Sequence, residues 1–158
     1  MAKNTIKLKN YMPTPVMEEC TSTAAAVTPG HLLELTSAGL VQKHATAGGN
    51  VLPPMFAVED ELQGRGIDTA FANSSKIQCW IPQRGDMVYA LLADGQNVAI
   101  GDPLESAGDG TLQAHVADVD NSADVTTIYG NAIIAIAVEA VDLSNSASAV
   151  GRIIVRII

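Results

Sequence analysis

Three histidines, His31, His44 and His115, are the side chains of this sequence best suited to acid–base or nucleophilic chemistry. Nucleophilic catalysis would place one of them beside an activated serine or cysteine and orient it with a carboxylate. The sequence contains no nucleophile elbow, HExxH, Walker or dinucleotide-binding pattern. We therefore predict that the protein is not an enzyme, with no catalytic residue and no cofactor.

The cysteines and the acidic residues also fail to form a metal-binding pattern. Cys20 and Cys79 lack metal-ligand spacing, and the sequence allows either a disulfide or two buried free thiols, of which we favour the thiols. Residues 118–124 begin like an EF-hand loop. Ala123 stands where that loop needs glycine, however, and Tyr129 stands where it needs a bidentate glutamate. We predict a solvated acidic loop and no metal site.

Two stretches of the sequence resemble each other and must position these side chains. Residues 27–47 and 98–118 match at seven of 21 positions without a gap, at an offset of 71 residues. The matched pairs are Val27/Val98, Gly30/Gly101, Leu33/Leu104, Glu34/Glu105, Gly39/Gly110, Gln42/Gln113 and His44/His115. Each stretch has a turn glycine, a short apolar run, a glycine turn and an outgoing strand, which predicts a duplicated β-hairpin. His44 and His115 then take a structural place at a strand end, while Glu34 and Glu105 could form an acid pair.

The turn residues along the chain predict an all-β fold. Short apolar runs bounded by Gly, Pro, Asn or Asp predict strands at 31–35, 39–42, 56–58, 75–81, 87–92, 97–100, 132–141 and 152–158. Asp94-Gly95 and Asp109-Gly110 are typical of tight turns. Helical periodicity is not sustained, although 21–27 and 60–66 could each form a turn or two. Residues 64–73 are predicted to form an exposed loop.

Composition and charge exclude several classes of function. The chain has 158 residues, of which 47% are apolar and 16% charged, and its net charge is −8. Between residues 85 and 151 it has ten acidic residues and no lysine or arginine. Such a body repels phosphate groups, so we expect binding to neither nucleic acid nor an anionic membrane. No apolar run approaches the ~20 residues of a membrane helix.

The first 17 residues differ from the rest of the chain. They carry three lysines, no acid and two prolines, which predicts an extended N-terminal arm followed by a single all-β domain at 18–158. Its apolar residues favour an arm that docks on a neighbour. The candidate contact residues in the arm are Lys3, Ile6, Lys7, Leu8, Lys9, Tyr11 and Met12. Candidates for the core or a subunit interface are Trp80, Ile153, Val155 and Ile157.

Several phrases occur in a characteristic order along nearly the whole chain. They are Glu18-Glu19 before an alanine-rich stretch, VTPGHLLEL, PPMFAVEDELQGRGID, IPQRGDMVYALLADGQNVAIGDPLESAGDGTLQ and AIAVEAVDLSNSASAVGRIIVRII. In this order they resemble the capsid decoration, or cement, proteins of tailed bacteriophages.

The resemblance implies a small β-barrel or β-tulip-like body and a structural role without chemical turnover. It implies a homotrimer at three-fold and quasi-three-fold positions on the outer face of a phage head, made in the host cytoplasm. The partner would be the major capsid protein, and the N-terminal arm would bridge capsomers and stabilise the expanded shell. Two alternatives stay open: a glycan- or host-surface-binding virion or adhesin module that uses the loop at 64–73, and a small trimeric all-β enzyme of dUTPase type.

Overall fold

The computed structural model describes residues 3–10, 14–23, 26–116, 131–145, 147 and 149–158. These residues form strands and one short 3-10 helix, Glu61–Gln63, but no α-helix, which confirms the all-β class. The strands are β1 (Lys7–Lys9), β2 (Val16–Thr21), β3 (Leu32–Leu35), β4 (Val41–Lys43), β5 (Met55–Ala57), β6 (Lys76–Ile81), β7 (Met87–Leu92), β8 (Asn97–Val98), β9 (Pro103–Ser106), β10 (Leu112–Ala114), β11 (Ala135–Ala137), β12 (Val141–Asp142) and β13 (Gly151–Ile157).

Five strands of the C-terminal half close into a barrel. They pair in the order β7-β10-β9-β11-β13, and β13 pairs with β7 to complete the ring. The β7–β10 contact is parallel and pairs Leu112 with Leu92, whereas the other pairings in the ring are antiparallel. We call this ring the second barrel.

Five strands of the N-terminal half repeat the same arrangement. They pair in the order β2-β6-β5-β3-β4. A parallel bridge between Ser22 and Val41 joins the two outer strands, in the same way as Leu92 pairs with Leu112 in the second barrel. The Thr23 N–H donates to the Val41 carbonyl (2.9 Å), and the equivalent Ala93 N–H donates to the Leu112 carbonyl (2.8 Å). We call this array the first barrel.

The structure confirms the two predicted hairpins. It also shows that the duplication extends well beyond them, to all five strands of each half. The β3–β4 hairpin pairs Glu34 with Gln42, and the β9–β10 hairpin pairs Glu105 with Gln113. Each hairpin is preceded by a glycine in the left-handed region, with φ of 96° at Gly30 and 93° at the equivalent Gly101. Only glycine adopts this conformation without strain, which explains why the two positions match.

The interiors of the two barrels correspond position by position. In the first barrel the buried side chains are Val27, Leu33, Val41, Met55, Ala57, Phe71, Ile77 and Cys79. The strand pairings show that each of them has an equivalent position in the second barrel. The residues at the equivalent positions are Val98, Leu104, Leu112, Ala135, Ala137, Val141, Ile153 and Val155. Most of these side chains are aliphatic, consistent with the abundance of alanine, valine and isoleucine.

The hairpin turn of the second barrel joins it to the first. Gly110 accepts a hydrogen bond from the Leu32 N–H (2.7 Å) and donates its own N–H to the His44 carbonyl (3.1 Å). A Cβ atom at Gly110 would lie 2.9 Å from the Cβ atom of Lys43, so this approach requires glycine. Outward-facing side chains of the first barrel, including Phe56 and Trp80, form one buried cluster with the interior of the second.

Each predicted strand overlaps an observed one, but the strand predicted at 132–141 is wrong in extent. The structure divides it into β11 and β12. The break has a long-range cause: the Glu139 carboxylate accepts the Ile154 N–H (2.8 Å) in place of a backbone carbonyl, which ends the β11–β13 ladder. The possible turn at 60–66 contains the 3-10 helix, which Asp60 caps by accepting the Gln63 N–H.

Candidate functional site

The predicted N-terminal arm is in part a strand of the fold. β1 pairs antiparallel with β7, placing Lys7 opposite Val88 and Lys9 opposite Met87. Val16 and Met17, also assigned to the arm, begin β2. Lys3 and Lys9 are exposed, whereas Lys7 and Leu8 are half-buried. The other two candidate contact residues, Tyr11 and Met12, lie outside the described residues.

Ile6 is a core residue, so its prediction as a contact with a neighbour needs correction. Its side chain is 0% exposed and belongs to the cluster shared by the two barrels. Its N–H donates to the Glu59 carboxylate (3.1 Å), and its carbonyl accepts the Tyr89 N–H (2.9 Å). The Thr5 hydroxyl also donates to Glu59. The segment is thus anchored to both halves of the chain, and no sequence signal pointed to Glu59 as its anchor.

The four residues predicted for the core or an interface all lie in the core. Trp80, Ile153 and Val155 are 0% exposed, and Ile157 is 3% exposed. The Trp80 Nε1–H has no hydrogen-bond partner among the described residues. These side chains stabilise the fold of the single chain and do not form its surface.

The repeated glutamate, glutamine and histidine form the same cluster in each barrel. The Gln42 side-chain amide donates to Glu34 (2.7 Å), and the Gln113 amide donates to Glu105 (2.8 Å). The His115 Nδ1 atom lies 2.5 Å from the Glu105 carboxylate, whereas the His44 Nε2 atom lies 3.7 Å from that of Glu34. Gln42 and Gln113 were among the matched sequence pairs, so the common spacing of the three residues could have identified the cluster.

His44 also forms hydrogen bonds at the interface between the two barrels. Its Nδ1 atom lies 2.8 Å from the Ser106 hydroxyl, which accepts the Gly108 N–H (3.1 Å), and its Nε2 atom lies 3.1 Å from the Asn50 carbonyl. A serine beside a histidine is the start of a nucleophilic site. Here, however, Ser106 is 0% exposed and His44 is 3% exposed, so a substrate cannot reach the hydroxyl. The pair holds the two barrels together.

His31 and Asp109 occupy the same joint. Burial lowers the pKa of His31 from 6.5 to about 4, and the nearby Lys43 adds to this effect. The His31 Nδ1 atom accepts the Thr28 N–H (2.9 Å). Burial alone would raise the pKa of Asp109, but hydrogen bonds from the Thr111 hydroxyl and N–H outweigh it and hold the pKa below 3.8.

The two cysteines are free thiols on adjacent strands of the first barrel. Cys79 is buried and Cys20 is half-buried. Burial raises the pKa of the Cys79 thiol far above its ordinary value, and the neighbouring Cys20 adds to the shift. A protonated, buried thiol is a poor nucleophile, so Cys79 acts as a packing residue.

The loop predicted to be exposed at 64–73 forms a β-bridge and several hydrogen bonds with the rest of the chain. Phe71, its one aromatic residue, is 2% exposed and bridges to Val27. The Arg152 guanidinium donates to the Ile67 carbonyl (2.6 Å) and to the Asp68 carboxylate (3.1 Å). The same guanidinium lies over the Tyr89 ring, 5.6 Å from its centre. The sequence had not indicated Arg152.

A groove opens at one end of the first barrel. Its volume is about 330 Å³, and it is lined by Glu18, Leu33, Glu34, Leu35, His44, Asn50, Val51, Leu52, Pro53, Met55 and Ile81. Leu35 is 62% exposed and Leu52 is 72% exposed, and Val16, which pairs with Ile81, is 44% exposed. Large apolar side chains left in water beside a groove are typical of an interaction surface.

In the part of the chain that the structure describes, no group of three His, Cys, Asp or Glu is arranged to hold a metal ion. No helix there is long and apolar enough to cross a membrane. The solvated acidic loop predicted at 118–124 lies outside the described residues. Comparison of the chain with protein-family models and with curated proteins finds no match.

Proposed function

We propose that the protein is a non-enzymatic decoration protein that binds the outer surface of a phage head. The observation that carries this proposal is the contrast between a buried apolar interior and large apolar side chains left in water. The exposed apolar side chains are Val16, Leu35, Leu52, Leu62, Ile100, Val116, Ile133, Val150 and Ile158. Leu35 and Leu52 line the groove of the first barrel, and Val16 pairs with Ile81 beside it, a grouping that fits an interaction surface better than a pocket for a small substrate. The resemblance of the ordered sequence phrases to phage decoration proteins supports a capsid shell as the partner.

Homotrimers at the three-fold and quasi-three-fold positions of the shell are part of the proposal, with the major capsid protein as partner. Each trimer would present three copies of every contact, so weak contacts per subunit add up to firm retention. The acidic stretch between residues 85 and 151 suits a solvent-facing exterior. No chemical step is required, because the protein stabilises the expanded shell by binding it.

In this proposal the N-terminal segment contacts the shell through a few exposed side chains, whereas a free arm would contact it along its whole length. Ile6 stays in the core, and contact with the shell falls to the exposed lysines, Lys3 and Lys9. These two lysines would bridge neighbouring capsomers by charge, so binding should weaken as salt screens them.

The glycan-binding alternative gains no support from the structure. Its candidate loop at 64–73 buries the aromatic ring that would stack on a sugar, because Phe71 is 2% exposed. Arg152 also holds that loop through hydrogen bonds and is not available as a ligand.

Cosedimentation with expanded, undecorated phage heads tests the proposed function. We expect the purified protein to sediment as a trimer alone, and to saturate heads at a copy number related to the capsid lattice. Lys3→Glu combined with Lys9→Glu should weaken binding and its salt dependence, whereas the matched exposed-lysine control, Lys76→Glu, should leave both unchanged. A folded trimer that binds no heads would contradict the proposal.

A further inference from the structure

In the second barrel, an added strand covers the edge of β7 that the ring of five strands leaves unpaired. β7 pairs with β13 along its length but meets β10 only at its last residue, Leu92. β1 fills the remaining edge, where the Tyr89 N–H donates to the Ile6 carbonyl (2.9 Å). An added strand thus completes the second barrel.

The equivalent edge of the first barrel has no such strand among the described residues. β2 pairs with β6 from Val16 to Thr21, and the Ser22–Val41 bridge follows on its other side. In the described part of the chain, the stretch from Met17 to Glu19 therefore has one paired side and one open side.

Hydrogen bonding shows which backbone groups face that open side. Glu19 pairs with Gln78 as Tyr89 pairs with Ile154. The Gln78 carbonyl accepts the N–H of Val58, the residue after β5 (2.9 Å), so it does not bond to β2. The Ile154 carbonyl likewise accepts the N–H of Val138, the residue after β11 (2.9 Å). The Glu19 N–H, like that of Tyr89, consequently points away from β6. No described residue accepts a hydrogen bond from it, so it is a donor of the kind that an added strand uses.

The groove of the first barrel adjoins this edge, because Glu18 of β2 lines it together with Leu35 and Leu52. Both leucines are largely exposed. The groove also carries two carboxylates, Glu18 and Glu34, neither of which forms an ion pair with a lysine or arginine in the described part of the chain. Where the first barrel has Glu18, the second barrel has the buried Val88.

We infer that the open edge of β2, from Met17 to Glu19, is a docking site for an extended segment of a different protein, one that alternates apolar and basic residues. Backbone hydrogen bonds to the edge would add the segment as a strand, an apolar side chain would enter the groove, and lysine or arginine beside it would face Glu18 and Glu34. β1 has this pattern of apolar and basic residues, Ile6-Lys7-Leu8-Lys9, and covers the equivalent edge of the second barrel. The inference goes beyond the proposed function and does not require a shell.

A synthetic peptide of sequence Lys-Asn-Thr-Ile-Lys-Leu-Lys-Asn, which copies residues 3–10, is a direct probe. Titrated into the ¹⁵N-labelled full chain, it should shift the amide resonances of Met17, Glu18 and Glu19, together with Leu35. The resonance of Tyr89 should stay in place, because the chain's own β1 occupies that edge at high effective concentration.

Two substitutions at one position separate backbone pairing from charge. Glu19→Pro removes the outward N–H without removing a bond to β6, and it should abolish peptide binding. Glu19→Gln keeps that N–H and should bind within about threefold of the natural chain, because exposed ion pairs contribute little. Glu18→Lys should weaken binding by about tenfold or more, since it replaces attraction with repulsion. Unchanged thermal unfolding of each variant shows that the fold is retained.

Three results would overturn the inference. One is the absence of any shift at Met17–Glu19 with millimolar peptide, and another is a shift confined to Tyr89, which would show strand exchange at the second barrel. The third is a Glu19 resonance that moves with protein concentration alone, which would show that a second copy occupies the edge. Because the titration contains no phage heads, its failure leaves the cosedimentation result to be judged separately.

Discussion

The two Glu–Gln–His clusters show how polar side chains are used at the scale of single residues. Sequence matching identified all three residue pairs, and their positions on equivalent hairpins are confirmed. What the match could not reveal is that His44 also reaches Ser106, because that contact joins strands 62 residues apart. His44 and Ser106, which resemble part of a catalytic set, instead form a hydrogen bond that links the two barrels.

The different burial of the two glutamates predicts different costs for their removal. Glu105 is 5% exposed and bonds to both Gln113 and His115, so Glu105→Ala should lower the free energy of unfolding by about 1–3 kcal/mol. Glu34→Ala, at a side chain that is 29% exposed, should cost no more than about 1 kcal/mol. Urea unfolding of the two matched variants measures both losses in the free energy of unfolding. Equal losses would contradict the structural difference between the two clusters.

His31 predicts a pH dependence of stability. Its pKa is about 4 in the folded protein and 6.5 when unfolded, so between these values the unfolded chain binds more protons. Stability is therefore complete above pH 6.5 and falls as the pH drops towards 4, by up to about 1.4 kcal/mol per pH unit. His31→Asn keeps an acceptor for the Thr28 N–H, as Asp102 does for Ala99 in the second barrel, and should flatten the fall. An unchanged slope in urea titrations would contradict this assignment.

At the scale of elements, the N-terminal segment departs most from the sequence prediction. Its prolines and lysines correctly indicated extended backbone, but they held no information about the surface on which it lies. That surface is the edge of β7 and the Glu59 carboxylate, more than 50 residues away along the chain. Because Ile6 lies in the shared core and β1 pairs with β7, we expect removal of this segment to destabilise the fold.

Truncation of Ile6 should reveal this structural role. Ile6→Ala leaves a cavity in the shared core and should reduce the free energy of unfolding by about 2–5 kcal/mol. The matched control, Leu8→Ala in the same strand, removes a half-buried side chain and should cost about 1 kcal/mol. Denaturant midpoints at constant m-value provide the comparison, and equal effects of the two substitutions would show that Ile6 is not anchored.

Strand positions were largely predictable because turn residues surround each apolar run. The boundary at Glu139 was not, since it depends on a side chain that replaces one backbone acceptor for Ile154. The groove was also beyond prediction from sequence, because its walls come from β2, β3, β6 and the loop at 50–53.

At the scale of the whole molecule, the chain consists of two copies of one barrel. The ungapped sequence match stops after the hairpins because the spacing between equivalent residues then changes. It is 71 residues from Leu33 to Leu104 but 80 from Met55 to Ala135, as their strand pairings show. Loops of different length thus concealed a duplication that the backbone retains. Among the residues that the structure describes, the copies differ in one respect with functional meaning: a strand covers the edge of β7 in the second barrel, and none covers the equivalent edge of β2 in the first.

Amide hydrogen exchange at Glu19 and Tyr89 in the free protein tests this difference most directly. The Tyr89 N–H, bonded to Ile6, should be protected by orders of magnitude, whereas the Glu19 N–H should exchange close to its intrinsic rate. Strong and equal protection of both amides would show that the first barrel's edge is already covered, and would contradict the asymmetry between the two barrels.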